Sequence, residues 1–182
     1  MRYLLIGWLV FLNAGCSVTA KQPPVLHDFG VSAPTVTHQG KASVSVNAPT
    51  WLWDNRIRYR LLYSSPSQVR FYGLDRWIAS PPEMFEQLLN FSGKARDYAL
   101  IIRLQDFEQQ FDAPDRARVV LRFSVEAYSD NNKQKIGTQE FYLQQPTKTP
   151  DAAGAIIGFI DLAHKATERI QDWVAGLSDH QE

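Results

Sequence analysis

Few residues of this chain could do chemistry, and their spacing argues against most of it. The four histidines, His27, His38, His164 and His180, stand far apart with no other ligand type at metal-binding spacing, so no zinc motif can be drawn. There is no Gly-x-Ser-x-Gly elbow and no phosphate-cradling glycine loop. Asp106 and Glu108 flank Phe107, with Asp112 and Asp115 beyond. Two carboxylates so close can divide acid and base roles or share a metal, but an acidic stretch at a strand end reads first as a solvated turn. The remaining reactive group is the thiol of Cys16, the single cysteine, which can form no internal disulfide. The inventory predicts a protein that is not an enzyme, with no catalytic residue, cofactor or metal assigned.

Cys16 matters because of what precedes it. Met1 and Arg2 give a basic start, Tyr3 to Leu12 is apolar except for Gly7, and Asn13-Ala14-Gly15 leads to the cysteine. This is the tripartite design of a secretory signal. The apolar run is too short for a membrane span, which needs about 20 such residues. Small residues before a lone cysteine admit a lipoprotein signal peptidase, which cuts before the thiol and leaves it bearing diacylglycerol. The segment resembles a bacterial lipobox, with Asn13 where such boxes usually carry an aliphatic residue. Residues 1–15 are therefore predicted to be a signal peptide and Cys16 the lipid attachment site. An ordinary secreted protein with an incidental cysteine is the competing reading. One acyl chain holds a protein marginally, at about 0.8 kcal/mol per buried CH₂, whereas the three chains of a mature lipoprotein hold it stably. Ser17 follows in place of aspartate, which by resemblance to the Gram-negative sorting rule predicts the periplasmic face of the outer membrane.

The rest of the 182 residues suffices for one domain with a tether. At 45% hydrophobic and 21% charged it can bury a core, and 19 basic against 19 acidic side chains give no basic footprint for nucleic acid. Residues 16–40, rich in Pro, Thr, Ser, Ala and Gln, read as a lipidated tether. Within it, Val25-Leu26-His27-Asp28-Phe29-Gly30 is apolar enough to dock as an edge strand. The domain is assigned to 41–178, with a tail at 179–182.

Val44 and Val46 alternate with polar neighbours up to Pro49, the period of a half-buried strand. Arg56 to Leu61 alternates strictly, so Arg56, Arg58 and Arg60 share one face and Ile57, Tyr59 and Leu61 the other. Val69 and Phe71 mark a third short strand. Ser80-Pro81-Pro82-Glu83 opens a helix with a capping box and an early proline, and Ser92-Gly93 closes it. Residues 98–144 read as a three-stranded antiparallel meander, clearest where Val119, Leu121, Phe123, Val125 and Ala127 alternate with polar or smaller partners, with a turn at Asp130-Asn131-Asn132. Thr149 is expected to cap a final helix over 150–176, about 40 Å long. Its stripe of Ile156, Phe159, Ile160, Ala163, Ala166, Ile170, Trp173, Val174 and Leu177 reads as a core face, because the opposite face carries both signs of charge. The fold class expected is α+β: a mixed, largely antiparallel sheet with a short helix and a long C-terminal helix packed on it.

Two groups of side chains suit partner binding. Trp51 and Trp53 sit on a connection, where tryptophan either folds back into the core or anchors a partner. The three cations of Arg56, Arg58 and Arg60 on one face need solvent or acidic partners, and with the two tryptophans they form the candidate partner interface. Trp77, just before the capping box, reads as core.

Pro49-Thr50-Trp51-Leu52, Ile57-Arg58-Tyr59-Arg60, the stretch from Tyr72 through Arg76 and Trp77 to Pro81 and Pro82, and Leu104-Gln105-Asp106-Phe107-Glu108-Gln109 together resemble the ABC-type transport auxiliary lipoprotein family, over about Val25 to Trp173. The resemblance implies a sheet similar to the amino-terminal domain of the Tol-system propeller protein, with Tyr72, Arg76, Trp77, Pro81 and Pro82 as structural motif residues. It also implies a role beside an ABC transporter and a mammalian-cell-entry-type tunnel protein in lipid transport between membranes, with the lipoprotein as the outer-membrane docking piece. Homo-oligomerisation is compatible with this. Two alternatives are an assembly lipoprotein serving as plug or pilotin of an outer-membrane channel, and a periplasmic enzyme whose site only the fold would assemble.

Overall fold

The structure, a computed structural model, describes residues 22–30, 44–89, 98–129 and 134–178. The signal segment 1–15, Cys16, the tether outside residues 22–30, Ser92-Gly93, the turn at 130–132 and the tail 179–182 lie outside them. Among the described residues, seven strands form one mixed sheet: β1 (Val25–His27), β2 (Val44–Asn47), β3 (Arg56–Leu61), β4 (Arg70–Trp77), β5 (Tyr98–Ala113), β6 (Arg116–Ser129) and β7 (Lys135–Pro146), with helices α1 (Pro81–Leu88) and α2 (Ala152–Ser178). The order is β1-β4-β3-β5-β6-β7, and β2 also pairs with β5. β5, β6 and β7 make the expected antiparallel meander. β2 and β3 instead lie parallel to β5, one after the other along the same edge of that long strand. The early strands thus belong to the sheet of the meander.

Three sequence expectations are corrected. The stretch around Asp106, Glu108 and Asp112 is not a turn, because β5 continues to Ala113; only Asp115 sits in the hairpin before β6. A bulge between Leu104 and Asp106 explains the misreading. Leu100, Ile102 and Leu104 face the core before it, and Phe107, Gln109 and Phe111 after it, so the inward phase switches from even to odd numbers. Second, the third short strand, marked by Val69 and Phe71, is eight residues long and runs on to Trp77. Third, the cap of α2 is Asp151, not Thr149: the Asp151 carboxylate accepts the Gly154 N–H at 2.9 Å and the Thr149 hydroxyl at 2.6 Å, and these bonds hold its pKa below the usual carboxylate range.

Both helices pack on one face of the sheet. α1 begins as expected, with the Glu83 carboxylate accepting from the Ser80 hydroxyl at 2.6 Å and the Ser80 N–H at 2.9 Å. It buries Met84, Phe85 and Leu88. α2 buries Ala155, Ile156, Phe159, Leu162, Ala163, Ala166, Ile170 and Val174, with Ile160, Trp173 and Leu177 at the rim. Between the layers, Phe159 of α2 stacks on Phe107 of β5 with centroids 4.1 Å apart, and Trp77 meets Phe159 at 5.8 Å and Phe107 at 5.9 Å. The fourth ring is Phe29, which is 3% exposed, 5.6 Å from Trp77 and 5.9 Å from Phe107. The docking segment in the tether is therefore strand β1, parallel to β4 at the sheet edge, followed by an aromatic plug.

Two glycines let α2 sit close. A Cβ on Gly154 would lie 2.1 Å from the Thr149 carbonyl oxygen, and one on Gly158 would lie 2.7 Å from Cγ2 of Val119, a fully buried, β-branched side chain of β6. Alanine normally gains about 1 kcal/mol over glycine inside a helix. Overpacking costs about 1–3 kcal/mol, so Gly158→Ala should lose about 1 kcal/mol net. Gly154→Ala should lose more, because a backbone atom is in the way. Urea midpoints at unchanged m-value check both; a rise in either midpoint would contradict the packing.

Candidate functional site

The face of the sheet away from the helices carries charge. β3 projects Arg56, Arg58 and Arg60 onto it at spacings of about 7 Å, and β5 adds Asp106 and Glu108. Opposed or diagonal charges continue across the hairpin strands: Arg122 with Asp106 at 3.9 Å, Arg118 with Asp112, and Arg103 with Glu126 at 3.6 Å. At the β3 end this face opens into a groove of about 500 Å³. The three arginines, Asp54 and the turn Thr50–Leu52 line it, together with Val69 and Phe71.

The three arginines are not equivalent. Arg56 donates to Asp54 through Nε at 2.7 Å and through Nη2, and its guanidinium lies 3.8 Å from the centroid of Phe71. The bond from Arg56 holds the Asp54 carboxyl below its usual range; the charge of Arg76, which pairs with Arg56 from β4, acts in the same direction. Arg60 grips both oxygens of Glu108, at 3.0 and 3.1 Å, and donates to the Pro66 carbonyl at 2.9 Å. Arg58, between them, has one bond, from Nη1 to the Trp51 carbonyl at 3.2 Å. Its Nε is buried without an acceptor. Burial draws its pKa down despite the opposing charge of Glu108. Among the described residues, Arg58 is the groove cation with no carboxylate of its own.

Trp51 and Trp53 are resolved to the surface, at 62% and 47% exposed, because Leu52 between them takes the core position at 1%. Trp53 donates its indole N–H to the Ala48 carbonyl at 3.1 Å and does not line the groove, whereas Trp51 forms its lip. The structure therefore gathers Trp51, Arg56, Arg58 and Arg60 into one site. Sequence reasoning missed Asp54 and Glu108 as the groups that neutralise Arg56 and Arg60. The Asp-x-Arg spacing was a usable signal for the first; Glu108 lies 48 residues from Arg60, and only the fold brings them together.

The motif residues serve the architecture. Trp77 is 1% exposed, and Pro81 and Pro82 are buried at the start of α1. Tyr72 packs on Tyr59 at 4.7 Å and donates to Oε1 of Gln109 at 2.5 Å, and burial pushes its pKa up. Gln109 in turn donates toward Thr147 and the Asp151 carbonyl, which ties β4 and β5 to the start of α2. His27 pairs with Asp75 at 2.9 Å and His164 meets the Phe29 carbonyl at 3.2 Å, so both described histidines fasten β1 and its plug. Among the described residues, no group of three His, Cys, Asp or Glu could hold a metal, and no helix is long and apolar enough to cross a membrane.

No protein-family model and no curated protein matches the chain. Solved structures do. Protein XCC0632 from Xanthomonas campestris, described under the family model DUF330, superimposes with a TM-score of 0.68 at 17% identity, over 87% of this chain and 100% of its own. An uncharacterized protein superimposes with a TM-score of 0.57 at 13% identity, over 82% of this chain and 99% of its own. At these identities the likeness is one of fold: a mixed α+β sheet with its long C-terminal helix, shared with a DUF330 protein across that protein's whole length.

Proposed function

We propose that this chain is a lipid-anchored periplasmic docking protein of the outer membrane, auxiliary to an ABC transporter whose tunnel protein of the mammalian-cell-entry type carries lipid between membranes. The observation that carries the reading is the fold, which matches the DUF330 protein from end to end. DUF330 is the family of lipoproteins to which the resemblance around Tyr72 to Pro82 also points. Two further features support it. The segment before Cys16 has the layout of a lipoprotein signal, and the groove at β3 offers exposed tryptophan and a cation, Arg58, whose one hydrogen bond goes to a backbone carbonyl, which suit recognition.

The test has two arms. Cys16→Ser should abolish incorporation of labelled palmitate and release the protein from the outer-membrane fraction, while the circular dichroism spectrum and Tm stay as in the wild type. Label persisting on the variant would refute the anchor. In the second arm, the wild-type protein should co-purify with a tunnel protein encoded beside a transporter ATPase and permease. Recovery with an outer-membrane β-barrel in its place would favour the plug or pilotin role.

A further inference from the structure

We propose that the groove at Arg58 is a carboxylate-recognition site that takes an acidic segment of a partner protein, a glutamate or aspartate beside an apolar residue. The inference deepens the docking reading and rests on it for the claim that the occupant is a protein. It starts from an imbalance. Two of the groove's carboxylates are held by hydrogen bonds, Asp54 by Arg56 and Glu108 by Arg60, and the third, Asp106, lies 3.9 Å from Arg122. Arg58 alone holds a cation against a single carbonyl, with Nε buried and unbonded. An arriving carboxylate would supply acceptors to the other guanidinium nitrogens and charge to offset the desolvation of the cation.

The surroundings select the class of anion. The groove's three arginines and three carboxylates balance, and Arg122 beside Asp106 adds one positive charge, so the site suits a single added carboxylate. A lipid surface, with its sheet of phosphates, would bring many charges against them. The apolar share of the groove, from Val69, Phe71 and the exposed lip of Trp51, fits a side chain next to the acid. A volume of about 500 Å³ accommodates a short stretch of peptide and leaves the rest of the partner outside.

The test uses isotope-labelled full-length mature protein and three probes: a terminally blocked Leu-Glu-Leu peptide, its Leu-Gln-Leu counterpart, and vesicles of phosphatidylethanolamine with phosphatidylglycerol. The glutamate peptide should shift the Trp51 indole and Arg58 Nε resonances saturably. The glutamine peptide should bind at least about tenfold more weakly, the difference expected when a charge-assisted bond is lost. Arg58→Gln should abolish the glutamate preference, and Arg58→Lys should retain part of it. Equal binding of the two peptides, no shift at either resonance, or vesicles displacing the peptide at those resonances would each overturn the proposal. Failure of the docking reading looks different: the glutamate peptide still binds through Arg58, but no tunnel protein co-purifies. Failure of this site alone leaves co-purification intact in Arg58→Gln while the peptides do not discriminate.

Discussion

Phe29→Ala is expected to destabilise the domain by about 3–5 kcal/mol, the range for truncating a buried aromatic side chain. That corresponds to a fall in Tm of roughly 10 °C, at 2–4 °C per kcal/mol for a domain of this size. The residue belongs to a segment whose composition is that of a linker, so the size of the effect discriminates sharply. As a linker residue, Phe29 would change nothing. As the fourth ring of the set with Trp77, Phe107 and Phe159, it loses its buried area and two aromatic contacts, each worth about 0.5–1.5 kcal/mol beyond area. Phe29→Leu keeps most of the apolar volume and should lose much less. Thermal denaturation of the mature protein decides the matter; a loss below 1 kcal/mol for the alanine variant would mean that the plug is not part of the cooperative unit.

The second large effect is expected at Glu108, which is 5% exposed and bound through both oxygens to Arg60. Removing one member of a buried pair leaves an uncompensated charge and typically costs 3–5 kcal/mol. The Arg60 side chain retains 22% exposure, so the expected loss for Glu108→Leu is about 3 kcal/mol. Replacing both, as Arg60→Met with Glu108→Leu, should recover most of it, because no orphaned charge remains. Losses that simply add would refute the coupling. By contrast Arg122 and Asp106, 3.9 Å apart with side chains 50% and 47% exposed, should show a coupling near zero. The two pairs look alike in sequence and differ in burial, which decides their weight.

Period-two alternation made the arginine face of β3 and the core face of β6 legible, and Ser80 to Glu83 announced the start of α1, because in each case the signal is local. β5 was legible only to Leu104. Beyond it a single extra residue reverses the alternation, and a reader who expects constant parity sees a strand ending in an acidic turn. β4 was hidden for another reason: it lies next to the edge strand, leaves Gly73 and Leu74 exposed, and so lacks a clean buried face. Of the site, the shared face of Arg56, Arg58 and Arg60 could be read. Which of the three is left without a counter-charge depends on carboxylates brought in by distant chain and by a turn, and no local pattern encodes that. Exposure of Trp51 and Trp53 follows from Leu52 winning the inward position in a three-residue turn, a competition between apolar neighbours that hydropathy alone leaves undecided.

The placement of β1 also has a mechanical consequence. Any pull reaching the domain through the chain before Val25 enters at the start of this strand, and β1 runs parallel to β4, with Val25, Leu26 and His27 beside Asp75, Arg76 and Trp77. A load along that axis strains the ladder in shear, so its bonds share the force, whereas a load across it would open them one at a time. Just beyond the strand the Ile78 N–H is bonded to the His27 carbonyl at 2.8 Å, and the Phe29 ring is lodged among Trp77 and Phe107. Strand and ring together form a strain relief at the edge of the sheet, which takes up tension before it reaches the helices or the arginine groove.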